Sequence, residues 1–252
     1  AIRLLRQVEE VRLCLLFLQK GIDSVELVKG MSRTAEAILS ICAGHIEGSP
    51  AIIGLGKLGG REITFGSDLD IIFVTDKTVT EEDTKNAERL LSLLMSYTRE
   101  GFAYRVDTRL RPEGAKGMLV HSIDSLRKYY SGSAAFWEFQ ALLKARPVSG
   151  DKRTRRGFME MARELLVKHG RNISASDVRS MRERIQRELS NEESGYDIKL
   201  GTGGLEELEF TVQYLQLKNC GNHPAILVQG TLAALKRLKK AGIVNKPDAA
   251  FM

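Results

Sequence analysis

Apolar positions change period twice along this chain. From residue 1 to 48 they recur at helical spacing: Asp23 and Glu26 make a capping box, and Ile38, Ile41, Cys42 and His45 fall on successive turns. Between 49 and 150 short apolar runs alternate with amphipathic stretches. Ala51–Gly54 reads as a strand entering a glycine-rich turn over residues 55–60. Residues 68–74 predict a strand with Asp68 and Asp70 on one face and Leu69, Ile71 and Phe73 on the other, apolar enough to be central in a sheet. Thr80 opens a helix with the stripe Ala87, Leu90, Leu91, Leu94 and Met95, and Gly101 is expected to end it. Strict alternation over 102–111 predicts another strand, with Phe102, Tyr104, Val106, Thr108 and Leu110 on one side and Arg105, Asp107, Arg109 and Arg111 on the other. Trp137 is expected as a core anchor.

After residue 151 the helical period returns. Ser174 and Asp177 cap a helix with Val178, Met181, Ile185 and Leu189 inside, and Gly242 closes the last helix. Gly201, Gly203 and Gly204 precede a helix whose Leu205, Leu208, Val212 and Leu215 face a core, while Glu206, Glu209 and Gln213 fall on a side that solvent exposure explains. The pattern predicts an α+β fold: a helical segment 1–48, a catalytic domain 49–150 with a mixed sheet and helices, and a helical domain 151–252 ending in a bundle.

The chemistry concentrates in the middle segment. A glycine-rich turn lets backbone N–H groups approach a phosphate, although a tight strand-to-helix connection also wants glycine, and Lys57 reaches either a phosphate or solvent. Paired carboxylates at Asp68 and Asp70, with Asp107 on a neighbouring strand, offer hard oxygen ligands for magnesium. Arg105, Arg109 and Arg111 would then serve phosphate charge; the simpler alternative pairs Asp107 with Arg105 or Arg109. Glu138, Lys144 and Arg146 are further candidates for the cleft.

Composition narrows the class without changing it. The 252 residues, 43% hydrophobic and 28% charged, suffice for a sizeable core. No apolar run has membrane-spanning length, and the start, without initiator Met or signal pattern, suggests a piece excised from a longer chain. The three cysteines, Cys14, Cys42 and Cys220, lack metal-ligand spacing and suggest reduced thiols in a cytoplasmic protein. A net charge of +6 invites a nucleic-acid reading. Much of the surplus is interleaved with acids on helices, as in 179–188 with its Glu183/Arg187 spacing, so no nucleic-acid partner is expected.

Gly56, an eleven-residue gap, Asp68-x-Asp70 and a distant Asp107 resemble the nucleotidyltransferase superfamily of DNA polymerase beta. The segments 56–62, 105–112, 137–146 and 197–210 together are similar to the bacterial glutamine synthetase adenylyltransferase/adenylyl-removing family, over nearly the whole chain. That resemblance implies a polymerase beta-like fold, ATP as substrate, two Mg2+ ions on Asp68, Asp70 and Asp107, and Asp107 as a base. It implies nucleotide contacts from Gly56, Lys57, Ser67, Arg105, Arg109 and Arg111, and an approach to nucleotide or metal by Lys199, Glu207 and Glu209. Glutamine synthetase would be the protein substrate, with the PII signal protein and glutamine as regulators. Such enzymes carry two related units, one attaching AMP and one removing it by phosphorolysis. Residues 64–68 and 114–120, with Gln140, are more similar to the attaching unit; Glu207, where that unit more often shows Asp, leaves the removing unit open. A nucleotide-binding regulatory module without turnover is a further alternative.

Overall fold

The computed structural model describes residues 1–189, 197–245 and 248, with only the backbone of Leu189. It is α+β, and the chain divides into two compact units, Ala1–Ser133 with Lys144–Ala162, and Ala134–Leu143 with Arg163–Met252.

The first unit is built around one strand. β2 (Leu69–Thr75) pairs antiparallel with β1 (Ala51–Gly54), and β1 pairs antiparallel with β5 (Arg146–Ser149). On its other edge β2 pairs in parallel with β3 (Val106–Asp107) at its start and with β4 (Val120–Ser122) at its end. β2 is therefore central, as its pattern predicts, but it is buried on both faces: Ile72 and Val74 are as enclosed as Leu69, Ile71 and Phe73, and Asp70 alone is partly open.

Helices cover this sheet. α1 (Ile2–Leu18) packs on α2 (Ser24–Gly44), which starts at the expected Asp23/Glu26 capping box and buries Met31, Ala35, Ile38, Leu39 and Cys42. Ile41 lies outside this stripe and is exposed. The crossing is close because Gly30 lacks a side chain; a Cβ there would lie 2.6 Å from Leu13. α4 (Glu81–Met95) begins at the Thr80/Asp83 capping box and buries Ala87, Leu90 and Leu94. It ends at Met95, short of Gly101, because Ser96 turns extended and the returning chain takes over the end of the helix: Ala103 N–H donates to the Leu94 carbonyl at 2.8 Å. Gly101, with φ +79°, serves the turn that pairs it with Thr98. The remaining helices of this unit are α3 (Gly56–Gly60), α5 (Ile123–Gly132) and the start of α7 (Lys152–His169).

The second unit is helical. It contains α6 (Phe136–Leu143), the later turns of α7, α8 (Ala175–Leu189), α9 (Leu205–Asn219) and α10 (Thr231–Lys240). Its core gathers Val212, Cys220, Ile226, Ala234, Leu235, Leu238 and Val244, with Leu208 and Leu215 against it. Leu205, expected inside, is 62% exposed on the first turn of α9. α8 starts at Ser174 and Asp177 as expected, and Val178 is buried. Gly242, at φ +72°, ends α10; its N–H meets the Lys239 carbonyl and that of Ile243 meets Leu238. Phe139, rather than the half-buried Trp137, is the aromatic anchor of α6 and stacks on His169 at 5.3 Å.

Candidate active site

The turn after β1 is shaped by what lies against it. Leu55 N–H donates to the Asp70 carbonyl at 2.8 Å, and Gly56 follows with φ +46°. A Cβ on Gly56 would lie 2.3 Å from Asp70 Oδ2, so the glycine makes room for that carboxylate. Gly59 has a different task. Its missing Cβ would stand 1.9 Å from the Lys144 carbonyl, and Arg146 donates to the carbonyls of Gly59 and Leu58. Lys144 and Arg146 are taken up in pairing with Glu62 and Glu36, at 2.7 and 2.6 Å, instead of standing free in a cleft, and the Arg146 bonds to the carbonyls tie α3 to β5. Gly59 thus serves packing, and Gly56 faces the Asp70 carboxylate.

Lys57 reaches the loop before β2, with Nζ 3.3 Å from Thr64 Oγ1 and 3.5 Å from Ser67 Oγ. Its charge pulls the pKa of Asp70 down, but burial, then Asp107 and Asp68, push harder, and Asp70 rises to about 6. Asp70 and Asp107 are register partners across β2 and β3, and Asp68 sits exposed one residue before β2.

Asp107 behaves oppositely. Its Oδ1 accepts the Arg109 N–H at 2.8 Å, and the Arg109 guanidinium grips both of its oxygens, which holds the carboxyl below the usual range. That side-chain-to-backbone turn ends β3 after two residues, so the long alternating strand expected over 102–111 does not form. Arg111, expected beside Asp107 on the same strand face, is buried: it donates to the carbonyls of Thr108, Ala115 and Gly117 and holds the loop after β3. Arg105 lies exposed over the Phe102 ring, 5.5 Å from its centroid. A cleft of about 690 Å3 opens here, lined by Asp68, Asp107, Arg105, Arg109 and the side chains of Met95, Tyr97, Phe102 and Tyr104.

Among the described residues no three Asp, Glu, His or Cys side chains stand ready in metal-ligand geometry, and Asp107 faces Arg109. The donor set nevertheless suits a hard divalent cation. It consists of carboxylate oxygens, and both the burial that lifts Asp70 and the added repulsion from Asp107 and Asp68 are what a cation would offset.

The second unit holds the other expected residues around the loop 197–204. Asp197 Oδ1 accepts from the N–H groups of Lys199 and Leu200, Glu207 Oε2 accepts from Gly203 N–H at 2.9 Å, and the Lys199 side chain is exposed. Glu209 accepts from Gln213 at 3.0 Å, and Gln213 in turn accepts from Gln140. Gln213 is 8% exposed, so this side of α9 is a polar interior, contrary to the solvated face expected. Arg182, expected among the solvated charges of 179–188, is 5% exposed, and its Nη2 donates to the Leu200 and Gly201 carbonyls at 2.6 and 2.9 Å. Its spacing from Val178 and Ile185 placed it on the inward stripe, a signal its charge concealed.

Comparison with known proteins accords with the geometry. A family model described as glutamate-ammonia ligase adenylyltransferase matches residues 1–161, and one described as GlnD PII-uridylyltransferase matches 177–252. Bifunctional glutamine synthetase adenylyltransferase/adenylyl-removing enzymes are similar to the chain: that of Thioalkalivibrio sulfidiphilus is 38% identical over 82% of this chain and 24% of its own length. The corresponding enzyme of Mycobacterium bovis is 38% identical over 87% and 21%, and that of Cutibacterium acnes 35% over 90% and 24%. The chain therefore spans about a quarter of the length of these curated relatives. With a family model covering the whole sheet and its carboxylates, this chain belongs to the glutamate-ammonia ligase adenylyltransferase family of nucleotidyltransferases.

Proposed function

We propose that the chain is the AMP-attaching unit of such an enzyme and transfers AMP from ATP to a tyrosine of glutamine synthetase. The observation that supports nucleotidyl transfer is the crowding of Asp70 against Asp107 and Asp68 beside a glycine that admits nothing larger; attachment rather than removal rests on the resemblance at residues 64–68 and 114–120 and at Gln140. Asp68 and Asp70 would hold two Mg2+ ions, with Asp107 joining on one of them. Bound there, the ions would supply Lewis-acid stabilisation of attacking and leaving oxygens in an in-line displacement.

The side chains have separate tasks. Lys57 and Ser67, already within reach of one another, orient the triphosphate, and the backbone at Gly56 approaches it closely. Arg109 is the mobile partner: exposed, it can exchange the Asp107 carboxylate for the departing pyrophosphate and stabilise the charge that develops. While Arg109 grips it, Asp107 is a poor base for a tyrosine hydroxyl, so its role as base requires that exchange. Arg105 and the aromatic side of the cleft are suited to flank the acceptor tyrosine; Arg111 acts by holding the loop after β3. Lys199, Glu207 and Glu209 are the second unit's candidates for nucleotide contact, on the family resemblance. The PII protein and glutamine are proposed as regulators of the full-length enzyme.

The test supplies Mg-ATP and unmodified glutamine synthetase. Labelled AMP on a tyrosine supports attachment. Phosphate-driven release of ADP from the adenylylated form, without attachment, would assign the chain to the removing unit, which Glu207 leaves open. Neither reaction, with nucleotide still bound, would make it a regulatory module.

A further inference from the structure

On α1 the polar residues Arg3, Arg6, Gln7 and Glu10 share one stripe, while Leu4, Val8, Val11, Leu15 and Leu18 are exposed. The stripe is turned inward, onto the segment that joins α4 to β3. Arg3 Nη2 donates to the Ser96 carbonyl at 2.7 Å, Gln7 Nε2 to that of Glu100 at 3.0 Å, and Arg6 Nη1 to that of Ala103 at 2.6 Å.

Arg6 is the most engaged of these side chains. Its Nε is held by Glu10 Oε1 at 2.7 Å, and its guanidinium lies over the rings of Tyr104 and Phe102, 4.7 and 5.8 Å from their centroids. Ala103 is thereby fixed at both its polar groups: its N–H donates to the Leu94 carbonyl and its carbonyl accepts from Arg6. The Arg105 carbonyl then accepts the Leu69 N–H at 2.9 Å, and β3 follows, two residues long, with Asp107 opposite Asp70. So short a pairing holds Asp107 weakly by itself, and its position depends on what grips residues 102–105.

We propose that Arg6 is a positioning residue for the reaction: it fixes the arm 102–107 so that Asp107 stays in register with Asp70, and it does so from behind the cleft. Phe102 and Tyr104 line the cleft, whereas Arg6 is not among its lining residues. The proposal rests on the reading of that cleft as a site of nucleotidyl transfer. Arg6 acts on the step that needs Asp107, and nucleotide binding, assigned to Lys57, Ser67 and Gly56, does not depend on it.

The test compares the parent chain with Arg6→Ala and Arg6→Lys by hydrogen exchange and by transfer kinetics. In Arg6→Ala, amides of 102–107 are expected to exchange about tenfold faster while those of β1 and the later part of β2 keep the parent rate. With Mg-ATP and unmodified glutamine synthetase, kcat should fall about tenfold, with the calorimetric Kd for Mg-ATP within about twofold of the parent's. Arg6→Lys keeps a charge over the rings and a donor for Ala103, and should recover about half of the parent kcat. If Arg6→Ala fails to fold, Arg6→Gln replaces it, with the same split and a loss of about threefold. Exchange unchanged at 102–107, an unchanged kcat, or a loss matched by weaker Mg-ATP binding would overturn the proposal. A parent chain that catalyses neither attachment nor removal would instead sink the functional reading, and hydrogen exchange would then decide whether Arg6 holds the arm.

Discussion

The two units leave different charges without a full complement. In the first, burial and the neighbouring carboxylates Asp107 and Asp68 push Asp70 toward its neutral form, with Lys57 and Arg109 in partial offset. In the second, Arg182 Nε and Nη1 and Glu206 Oε2 are buried with no hydrogen-bond partner among the described residues. Three other buried or half-buried cations are matched: Lys144 with Glu62, Arg146 with Glu36, Arg111 with three carbonyls. On the proposed reading of the first site, Asp70 is charge kept for a ligand, in contrast to charge used for structure. A group buried for stability finds its complement within the chain, and one kept for binding lacks it until the ligand arrives.

The largest expected effect removes the unmatched carboxylates. Asp68→Asn or Asp70→Asn should lower AMP transfer by about a thousandfold or more with the fold retained, as circular dichroism would record. Transfer near the parent rate with magnesium supplied would break the comparison. Asp107→Asn should divide binding from chemistry: calorimetry should still detect Mg-ATP, while turnover is lost.

Gly56→Ala comes next. It forces a side chain at φ +46° into the Asp70 carboxylate and should cost about 2–3 kcal/mol in denaturant titration, whereas Gly66→Ala, at φ +71° in open space, should cost about 1 kcal/mol. Equal losses would mean that Gly56 answers only to backbone conformation.

The smallest effect is a pH dependence of stability without metal. Between the ordinary carboxylate value and about 6, folded Asp70 keeps a proton that the unfolded chain has released. Its contribution to stability therefore declines as pH rises through that window, by about 2 kcal/mol after allowance for its partial exposure. Asp107 runs the other way: its lowered pKa gives stability above the unfolded value that is lost on acidification. Thermal melts of Asp70→Asn should lose the Asp70 slope, and magnesium should stabilise the parent chain but not this variant. An unchanged slope would show that Asp70 is not the group under pressure.

What could be read beforehand was local. The caps at Asp23, Thr80 and Ser174, the end at Gly242 and the central position of β2 all depend on neighbours in sequence or on a plain apolar run. Asp68 and Asp70 are neighbours by their spacing alone, whereas Asp107 comes beside Asp70 only through the pairing of β2 with β3. β3 was overestimated because Asp107, read as a ligand, is also a turn former, and its hydrogen bond with Arg109 N–H outcompetes continued pairing. Gln213 is hidden for the opposite reason, since its partner Gln140 lies 73 residues away, beyond the reach of periodicity; Arg182 stands on the periodic inward stripe, and its charge conceals it.

The sheet register also orders the assembly of the site in time. Gly54 meets Ile71 across one short connection, which brings Gly56 and Asp70 together, whereas Asp70 meets Asp107 only after a loop about twice as long, with α4 inside it, has closed. Doubling a loop adds about 0.6 kcal/mol of closure entropy, so the glycine and the first carboxylates come together before the third. Closure of the Asp107 arm is thus the entropically costlier step of the site, and the repulsion at Asp70 comes to full strength only when that arm is docked.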